Sequence, residues 1–468
     1  MSSYKYDPKS LKAEEFINHE EILESLDYAK KNKDNIPLMK EILEKAKKAK
    51  GISHKEAAVL MECDDPEINR QIRELAMEIK EKFYGHRIVM FAPLYLSNYC
   101  VNGCTYCPYH HKNKHIPRIK LTQEQIRDEV IALQDMGHKR LAIEAGEDPV
   151  NNPLEYILES IDTIYSIKHK NGAIRRVNVN IAATTVENYT RLKNAGIGTY
   201  ILFQETYNKE SYEQLHPTGP KHDYAYHTEA MDRAMEGGID DVGLGVLFGL
   251  EGYRYELVGI LMHAEHLEAA QGVGPHTISV PRICPADDID TDDFSNAVPD
   301  EIFEKIVAVI RIAVPYTGMI ISTRESQKTR EHVLHLGISQ ISGGSRTSVG
   351  GYTEPVRDDS SAQFDVSDTR TLDEVVNWLM KMGYIPSFCT ACYRAGRTGD
   401  RFMTLLKSGQ IVNCCQPNAL MTLKEYLEDY ASPETKQIGE ELIAREIQKV
   451  PNEKIRQRAI DFLAEIDH

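Results

Sequence analysis

The chain has 468 residues, of which 41% are hydrophobic and 27% charged, a balance typical of a soluble globular protein. Asp and Glu (71) outnumber Lys and Arg (55), and the resulting net charge of −16 argues against nucleic-acid or anionic-membrane partners, which are polyanions. No apolar run approaches the roughly 18 residues that span a bilayer. The first residues also lack the basic and hydrophobic pattern of a secretory signal, so we expect a cytoplasmic protein.

Residues 1–85 are predicted to form polar helices. Apolar residues recur at helical spacing in stretches such as EEILESLDYAKKNKD. The stretch SHKEAAVLM begins with Ser53 and has Glu56 three residues later, the pattern of a capping box. We expect an N-terminal helical extension, and the sequence leaves open whether it covers a larger domain or forms a dimer arm.

Residues 86–350 alternate between short apolar runs and amphipathic stretches such as LTQEQIRDEVIALQDMG. Alternating strands and helices predict a parallel sheet, and eight strands fit a (β/α)8 TIM-type barrel of the α/β class. A doubly wound open sheet is the alternative, although it usually has fewer strands. The predicted strands are 88–96, 140–146, 175–183, 199–206, 241–248, 276–283, 318–324 and 338–343.

Residues 351–468 break this pattern. A polar, loop-like stretch leads into the predicted helix TLDEVVNWLMKMG, then a cysteine-rich segment at 389–415, then polar helices. We expect a C-terminal helical domain that carries the second group of cysteines.

Cys100, Cys104 and Cys107 lie directly after the first predicted strand with the spacing C-x3-C-x2-C. Three thiolates bound to a cubane [4Fe–4S] cluster leave one iron open, because such a cluster normally has four Cys ligands. Structural zinc is the competing interpretation, with His110 or His111 as a fourth ligand.

The motif CVNGCTYC resembles the signature of the radical S-adenosylmethionine (SAM) superfamily. The resemblance implies that the three cysteines hold a cluster whose open iron binds SAM, which is cleaved to a 5′-deoxyadenosyl radical. It also implies that the end of the second strand contacts SAM, where this chain has Ala145 in place of the usual first Gly. The SAM-binding residues implied in this way are Tyr106, Ala145, Gly146, Glu147 and Glu205.

The second cysteine group consists of Cys389, Cys392, Cys414 and Cys415. Four thiolates are typical of structural zinc, whereas three would hold a second iron–sulfur cluster with a free iron. Adjacent side chains point apart, so Cys414 and Cys415 are not both expected to bind one metal. The third ligand is then either Cys415, with the spacing C-x2-C-x22-C, or Cys414, with 21 residues in place of 22.

Together, the two cysteine motifs resemble those of the tyrosine lyases of [FeFe]-hydrogenase maturation, the HydG family, over essentially the whole chain. The resemblance implies Cys389, Cys392 and Cys415, with the spacing C-x2-C-x22-C, as the ligands of the second cluster. The resemblance implies cleavage of the Cα–Cβ bond of L-tyrosine to p-cresol and dehydroglycine, followed by formation of CO and cyanide on an auxiliary [4Fe–4S]-type cluster with an additional iron. It also implies an electron donor and other hydrogenase maturation proteins as partners.

Two further site assignments depend on this resemblance. The extra iron is expected to bind a histidine, either His266, which we favour, or His263, because residues three apart share one helix face. The seventh strand ends in Ser322, Thr323 and Arg324, where the arginine is expected to hold the substrate carboxylate. A salt bridge from Arg324 to Glu325 is the alternative.

Two other functions remain open from the sequence. A 2-iminoacetate synthase of thiamine biosynthesis would stop at dehydroglycine, and this related group lacks the second cysteine motif. A zinc-stabilised scaffold would use both cysteine groups structurally.

Overall fold

The computed structural model describes residues 4–395 and 397–466. Eight parallel strands form a closed barrel, because the last of them, β10, pairs with the first, β1. These strands are β1 (Arg87–Ser97), β2 (Arg140–Ala145), β5 (Arg176–Asn180), β6 (Tyr200–Ile201), β7 (Val242–Gly245), β8 (Thr277–Ser279), β9 (Gly318–Ile321) and β10 (Gln340–Ser342). The predicted (β/α)8 barrel is confirmed, and the open doubly wound sheet is not adopted.

Three short strands lie outside the barrel. A small antiparallel hairpin consists of β3 (Lys168–His169) and β4 (Gly172–Ala173). The strand β11 (Ile385–Ser387) pairs in parallel with the first residues of β1. It therefore brings the segment that follows it, with its cysteines, to the barrel.

The helices follow the predicted alternation. Those before the barrel are α1 (Ala13–Phe16), α2 (His19–Lys31), α3 (Ile36–Ala46), α4 (His54–Glu62) and α5 (Pro66–Tyr84). Those within it are α6 (Gln123–Met136), α7 (Leu154–Ser166), α8 (Val186–Asn194), α9 (Lys209–Leu215), α10 (Tyr224–Thr228), α11 (Ala230–Glu236), α12 (Tyr253–His266), α13 (Asp300–Ala313) and α14 (Gln327–Leu336). Those after it are α15 (Leu372–Lys381), α16 (Ala391–Arg394), α17 (Gly399–Lys407), α18 (Val412–Asp429), α19 (Pro433–Glu446) and α20 (Glu453–Ile466).

The N-terminal helices cover the outside of the barrel. The predicted capping box at Ser53 and Glu56 is present at the start of α4. The His54 ring bridges Glu21 of α2 and Glu265 of α12, at 2.7 and 2.6 Å. The extension therefore packs on the barrel. The domain boundaries after residues 85 and 350 remain predictions from the sequence.

The interior of the barrel is unusually polar. The inside of such a barrel is normally filled by branched apolar side chains. Here Asn178, Asn180, Ser279 and Ser342 line an internal cavity, and Phe91, Ala142 and Ile320 form a small apolar cluster apart from the main core. The interior is not completely filled by these side chains. Two cavities lie there, one at each end of the barrel.

No helix among the described residues combines the length and apolar character needed to cross a membrane.

Candidate active site

The cysteines of the first motif share one cavity of about 220 Å³ at the carboxyl ends of the strands, which we call the upper cavity. The loop that carries Cys100, Cys104 and Cys107 follows β1 directly, as predicted. Arg118 holds this loop in place by donating hydrogen bonds to four of its carbonyl oxygens at 2.7–3.0 Å. None of the three thiols forms a disulfide.

Gly146 lies against the cysteine loop. A Cβ atom added there would be 2.2 Å from the Tyr99 carbonyl oxygen and 3.0 Å from Cys100 Cβ. The Asn152 amide donates to the carbonyl oxygens of Tyr99 and Gly146, at 3.0 and 2.8 Å. Only glycine fits this position, because any side chain would displace the cysteine loop.

All five residues assigned to SAM binding line the upper cavity: Tyr106, Ala145, Gly146, Glu147 and Glu205. Glu205 has a φ of 67°, an uncommon conformation for a non-glycine residue that is often found at functional sites. Its carboxylate accepts a hydrogen bond from Lys221 Nζ at 3.1 Å. Burial opposes the charge on Lys221, but the charges of Glu205 and of Cys104 outweigh it and raise the Lys221 pKa.

The chemistry of this cavity fits a cluster-bound state. Burial raises the pKa of Cys104 to about 12 and that of Cys107 to about 11. Coordination to iron would remove the proton from each thiol, as metal binding does for cysteine ligands generally. The three sulfur donors, which line a single cavity, therefore suit an iron–sulfur cluster.

Ser322, Thr323 and Arg324 line the same cavity. The Thr323 hydroxyl is buried and has no hydrogen-bond partner among the described residues. The Arg324 guanidinium lies 3.8 Å from the centre of the Phe364 ring. Glu325 pairs instead with Arg282, whose Nε lies 2.8 Å from Glu325 Oε1. The alternative salt bridge between Arg324 and Glu325 is therefore not formed, and both Arg324 and Thr323 face the cavity.

Glu144 is a further acidic group of the upper cavity. Burial raises its pKa to about 8, although the charge of Arg324 and a hydrogen bond from Asn180 act in the opposite direction. Glu144 and Lys221 were not identified from the sequence. Glu144 resembles any other strand residue there, and Lys221 lies in a loop far from the cysteine motif.

A second cavity of about 110 Å³, which we call the lower cavity, lies at the amino ends of the strands. Cys389, Cys392 and Cys415 line it, whereas Cys414 does not. The segment after β11 is held there by Arg140 at the start of β2, whose Nη2 donates to the Cys389 carbonyl oxygen at 3.0 Å. The arrangement supports Cys415 as the third ligand.

The lower cavity is rich in cationic groups: Arg87, Arg140, Arg176 and Arg397 line it. A hydrogen bond with the Cys415 thiol, and the nearby Arg397, lower the pKa of Cys392 to about 6 despite burial. The thiolate is thus favoured at Cys392, whereas the hydrogen bond to Cys392 and burial raise the pKa of Cys415.

The structure does not bring His266 or His263, the residues assigned to an extra iron, to the lower cavity. His266 Nδ1 lies 2.7 Å from the Pro8 carbonyl oxygen, and its Nε2 lies 2.9 Å from Asp232 Oδ1. His263 Nδ1 contacts the Tyr207 hydroxyl at 2.9 Å. The shared helix face therefore packs against the N-terminal extension, as an ordinary structural pair of histidines would.

His276 lies in the lower cavity instead, directly before β8. Its Nδ1 is buried, lies 3.5 Å from Asp241 Oδ1 and has no hydrogen-bond partner among the described residues. Burial lowers its pKa to about 4, so the ring is neutral at pH 7, the form that binds metals. The sequence did place His276 at the start of the sixth predicted strand, but only the fold brings it to the cysteines.

The zinc interpretation lacks its expected fourth ligand. His110 Nε2 lies 2.9 Å from Asp288 Oδ2, and its Nδ1 accepts a hydrogen bond from the Asn113 amide. Neither His110 nor His111 lines the upper cavity. Within residues 4–395 and 397–466, no three His, Cys, Asp or Glu side chains are grouped so that they hold a single metal ion.

Comparisons with known proteins agree with this geometry. The profile of the Radical SAM superfamily matches residues 94–264, and that of the Biotin and Thiamin Synthesis associated domain matches residues 279–385. A solved structure of HydG, a maturase of the [FeFe]-hydrogenase, is 58% identical, with a TM-score of 0.94 over 97% of this chain and 98% of that chain. The chain belongs to the HydG family of radical SAM enzymes.

Other relatives are more distant. The HydG structure from Carboxydothermus hydrogenoformans is 40% identical, with a TM-score of 0.84, over 96% of this chain and 99% of that one. The 2-iminoacetate synthase of Salmonella typhimurium is 28% identical over 74% of this chain and 89% of its own length. Membership of the radical SAM superfamily implies SAM and a [4Fe–4S] cluster as cofactors.

Proposed function

We propose that this enzyme cleaves the Cα–Cβ bond of L-tyrosine to p-cresol and dehydroglycine, then forms CO and cyanide from dehydroglycine for assembly of the [FeFe]-hydrogenase active site. The observation that carries the proposal is the pair of cysteine trios, one in each cavity, at opposite ends of one barrel. An electron donor and other maturation proteins are proposed as partners.

In the upper cavity, Cys100, Cys104 and Cys107 would hold the first cluster. When bound, this cluster and SAM would supply the electron and the 5′-deoxyadenosyl radical that start the reaction. Glu147 and Glu205 would hold the amino group and ribose of SAM, respectively. These residues fix SAM in one orientation, and such positioning is the main contribution a protein makes to cofactor chemistry.

The other side of the upper cavity would hold tyrosine. The planar Arg324 guanidinium suits a bidentate pair with the tyrosine carboxylate. Thr323, whose hydroxyl has no hydrogen-bond partner among the described residues, lines the cavity beside Arg324. Both groups follow β9, on the cavity that the three thiols also line, so the bound amino acid would face the radical precursor.

In the lower cavity, Cys389, Cys392 and Cys415 would hold the auxiliary cluster, and His276 would bind its additional iron. Dehydroglycine contains the atoms of one CO, one cyanide and one water, so this conversion needs no further oxidant. The arginines around the cavity would favour the negatively charged intermediate over neutral molecules.

The 2-iminoacetate synthase alternative stops at dehydroglycine. The lower cavity favours the longer reaction, because a lyase that released dehydroglycine would have no use for a second set of three thiols beside a buried neutral histidine.

The test is an anaerobic assay of the reconstituted enzyme with SAM, tyrosine and dithionite, scored for p-cresol, CO and cyanide. We expect Cys415→Ser to reduce CO and cyanide at least about a hundredfold while p-cresol still forms, since loss of a direct ligand exceeds the usual cost of losing its supporting contacts. Cys414→Ser is the matched control and should keep all three products.

Survival of CO and cyanide in Cys415→Ser would contradict the second site. Glyoxylate in place of CO and cyanide with the unaltered enzyme would favour the 2-iminoacetate synthase activity. Zinc without iron and sulfide in the anaerobically purified protein would contradict the enzyme assignment altogether.

A further inference from the structure

Gln340 lies where the two cavities meet. Among the described residues it is the only one that lines both the upper cavity and the lower cavity. It is the first residue of β10, whose next inward-facing residue, Ser342, lines only the upper cavity. Gln340 is therefore the side chain that separates one space from the other.

Apolar side chains lie beside Gln340 on both neighbouring strands. Its neighbour across the sheet in β9 is Ile320, which belongs to the small cluster with Phe91 and Ala142 inside the barrel. Its neighbour in β1 is Val89, which lines the lower cavity. Any molecule that moves between the cavities at Gln340 therefore passes these apolar side chains.

The Gln340 amide has no protein partner. The residue is 7% exposed, and its side chain makes no hydrogen bond to the described residues. Its amide atoms are not among the fully buried unsatisfied polar atoms, so they are accessible from the cavities that the residue lines. An amide that faces two cavities and has no protein partner is available to a molecule inside them.

The proposed intermediate has the chemistry to use it. Dehydroglycine carries a carboxylate and an imine, and an apolar zone alone would resist a carboxylate strongly. A glutamine amide has two N–H donors and one carbonyl acceptor, so it can donate to the carboxylate and accept from the imine N–H. The arginines of the lower cavity lie beyond it.

We propose that Gln340 guides dehydroglycine from the upper to the lower cavity by hydrogen-bonding it at the junction. This inference rests on the proposed function and adds a positioning residue to it. Gln340 takes no part in bond cleavage. Its hydrogen bond to dehydroglycine sets the fraction of this intermediate that reaches the lower cavity.

The partition of products measures that fraction. Dehydroglycine that escapes reacts with water to give glyoxylate and ammonia, whereas dehydroglycine that arrives gives CO, cyanide and water. The assay uses the reconstituted holoenzyme with SAM, tyrosine and dithionite. It scores CO and glyoxylate per p-cresol, which is independent of how fast tyrosine is cleaved.

We expect Gln340→Leu, which keeps the volume and removes the amide, to lower CO per p-cresol at least about tenfold with a matching rise in glyoxylate. A lost hydrogen bond to a charged group typically has an effect of this size. Gln340→Asn keeps an amide, so its CO per p-cresol should lie between the values of the unaltered enzyme and of Gln340→Leu. The matched control is Gln134→Leu, because Gln134 is a buried glutamine of α6 that lines neither cavity and should not alter the ratio.

An unchanged CO to p-cresol ratio in Gln340→Leu would overturn this assignment and leave the proposed function intact. So would loss of p-cresol in Gln340→Asn with iron and sulfide at full content, because Gln340 would then belong to tyrosine cleavage. Absence of p-cresol with the unaltered enzyme would overturn the proposed function, and the role of Gln340 with it.

Discussion

At the scale of single residues, Arg324 is the charged group best placed to hold a substrate carboxylate in the upper cavity. Its planar guanidinium presents several N–H donors that match a carboxylate. The neighbouring carboxylate of Glu325 is already paired with Arg282. The Phe364 ring beneath the guanidinium fixes its plane. An arginine that lines the cavity and is not paired with Glu325 can bind the carboxylate of an amino-acid substrate.

We expect Arg324→Gln to raise the KM for tyrosine by about 10- to 100-fold, the usual effect of losing charge-assisted hydrogen bonds. Steady-state p-cresol formation at varied tyrosine concentrations measures this. Arg445→Gln, on the exposed face of α19, is the control and should leave KM unchanged. A wild-type KM in Arg324→Gln would show that another group binds the carboxylate.

At the scale of elements, the loop after β1 and the end of β2 act as one unit. The Val101 amide donates to the Glu147 carbonyl oxygen at 2.8 Å, and the Gly146 amide donates to the Ser97 carbonyl oxygen at 3.2 Å. Their close approach holds the loop in the shape that directs its thiols into the cavity. Ala145, which stands in place of the usual first glycine, lies one residue before Gly146. It therefore leaves the contact between Gly146 and the cysteine loop intact.

We expect Gly146→Ala to lose roughly half of the iron and sulfide that the reconstituted enzyme binds, because one of two clusters loses its loop. Iron and sulfide analysis after anaerobic reconstitution measures this. Gly252→Ala is the control, since a Cβ atom there has nothing within 4 Å. Full iron content in Gly146→Ala would show that the loop tolerates the displacement.

At the scale of the whole molecule, His54 ties the N-terminal extension to the barrel. Burial alone would lower its pKa, but hydrogen bonds and charges from Glu265 and Glu21 outweigh this and raise it. The folded protein therefore holds the His54 proton more tightly than the unfolded chain does. The resulting stabilisation is complete below the ordinary histidine pKa of about 6.5 and is lost as the pH rises through the raised value.

We expect the thermal midpoint of the enzyme to fall between about pH 6 and pH 8, and His54→Gln to reduce this fall. At about pH 6 the variant should be less stable by about 1–3 kcal/mol, the usual cost of lost hydrogen bonds to charged groups. Thermal unfolding at both pH values measures it, with His86→Gln as control. An equal fall in His54→Gln would assign the pH dependence elsewhere.

The sequence by itself determined the barrel and the chemistry at its top. Alternating apolar runs and amphipathic helices dictate a parallel sheet, and the spacing of Cys100, Cys104 and Cys107 directly after the first strand places three thiols at the carboxyl ends of the strands. Both signals are local, because periodicity and short spacing depend only on neighbouring residues. Arg324 could be placed at the same edge of the barrel for the same reason, since it is the last residue of the seventh predicted strand.

Only the tertiary structure decided how distant segments meet. His263 and His266 share a helix face, but that face is covered by the N-terminal extension, whereas His276 reaches the far cysteines because β8 begins beside them. The polar interior of the barrel could not be predicted from the sequence either. A strand buried on both faces has no alternation that distinguishes its inward residues from its outward ones. The contact between the two cavities at Gln340 exists only once eight strands have closed into a ring, since it joins residues hundreds of positions apart.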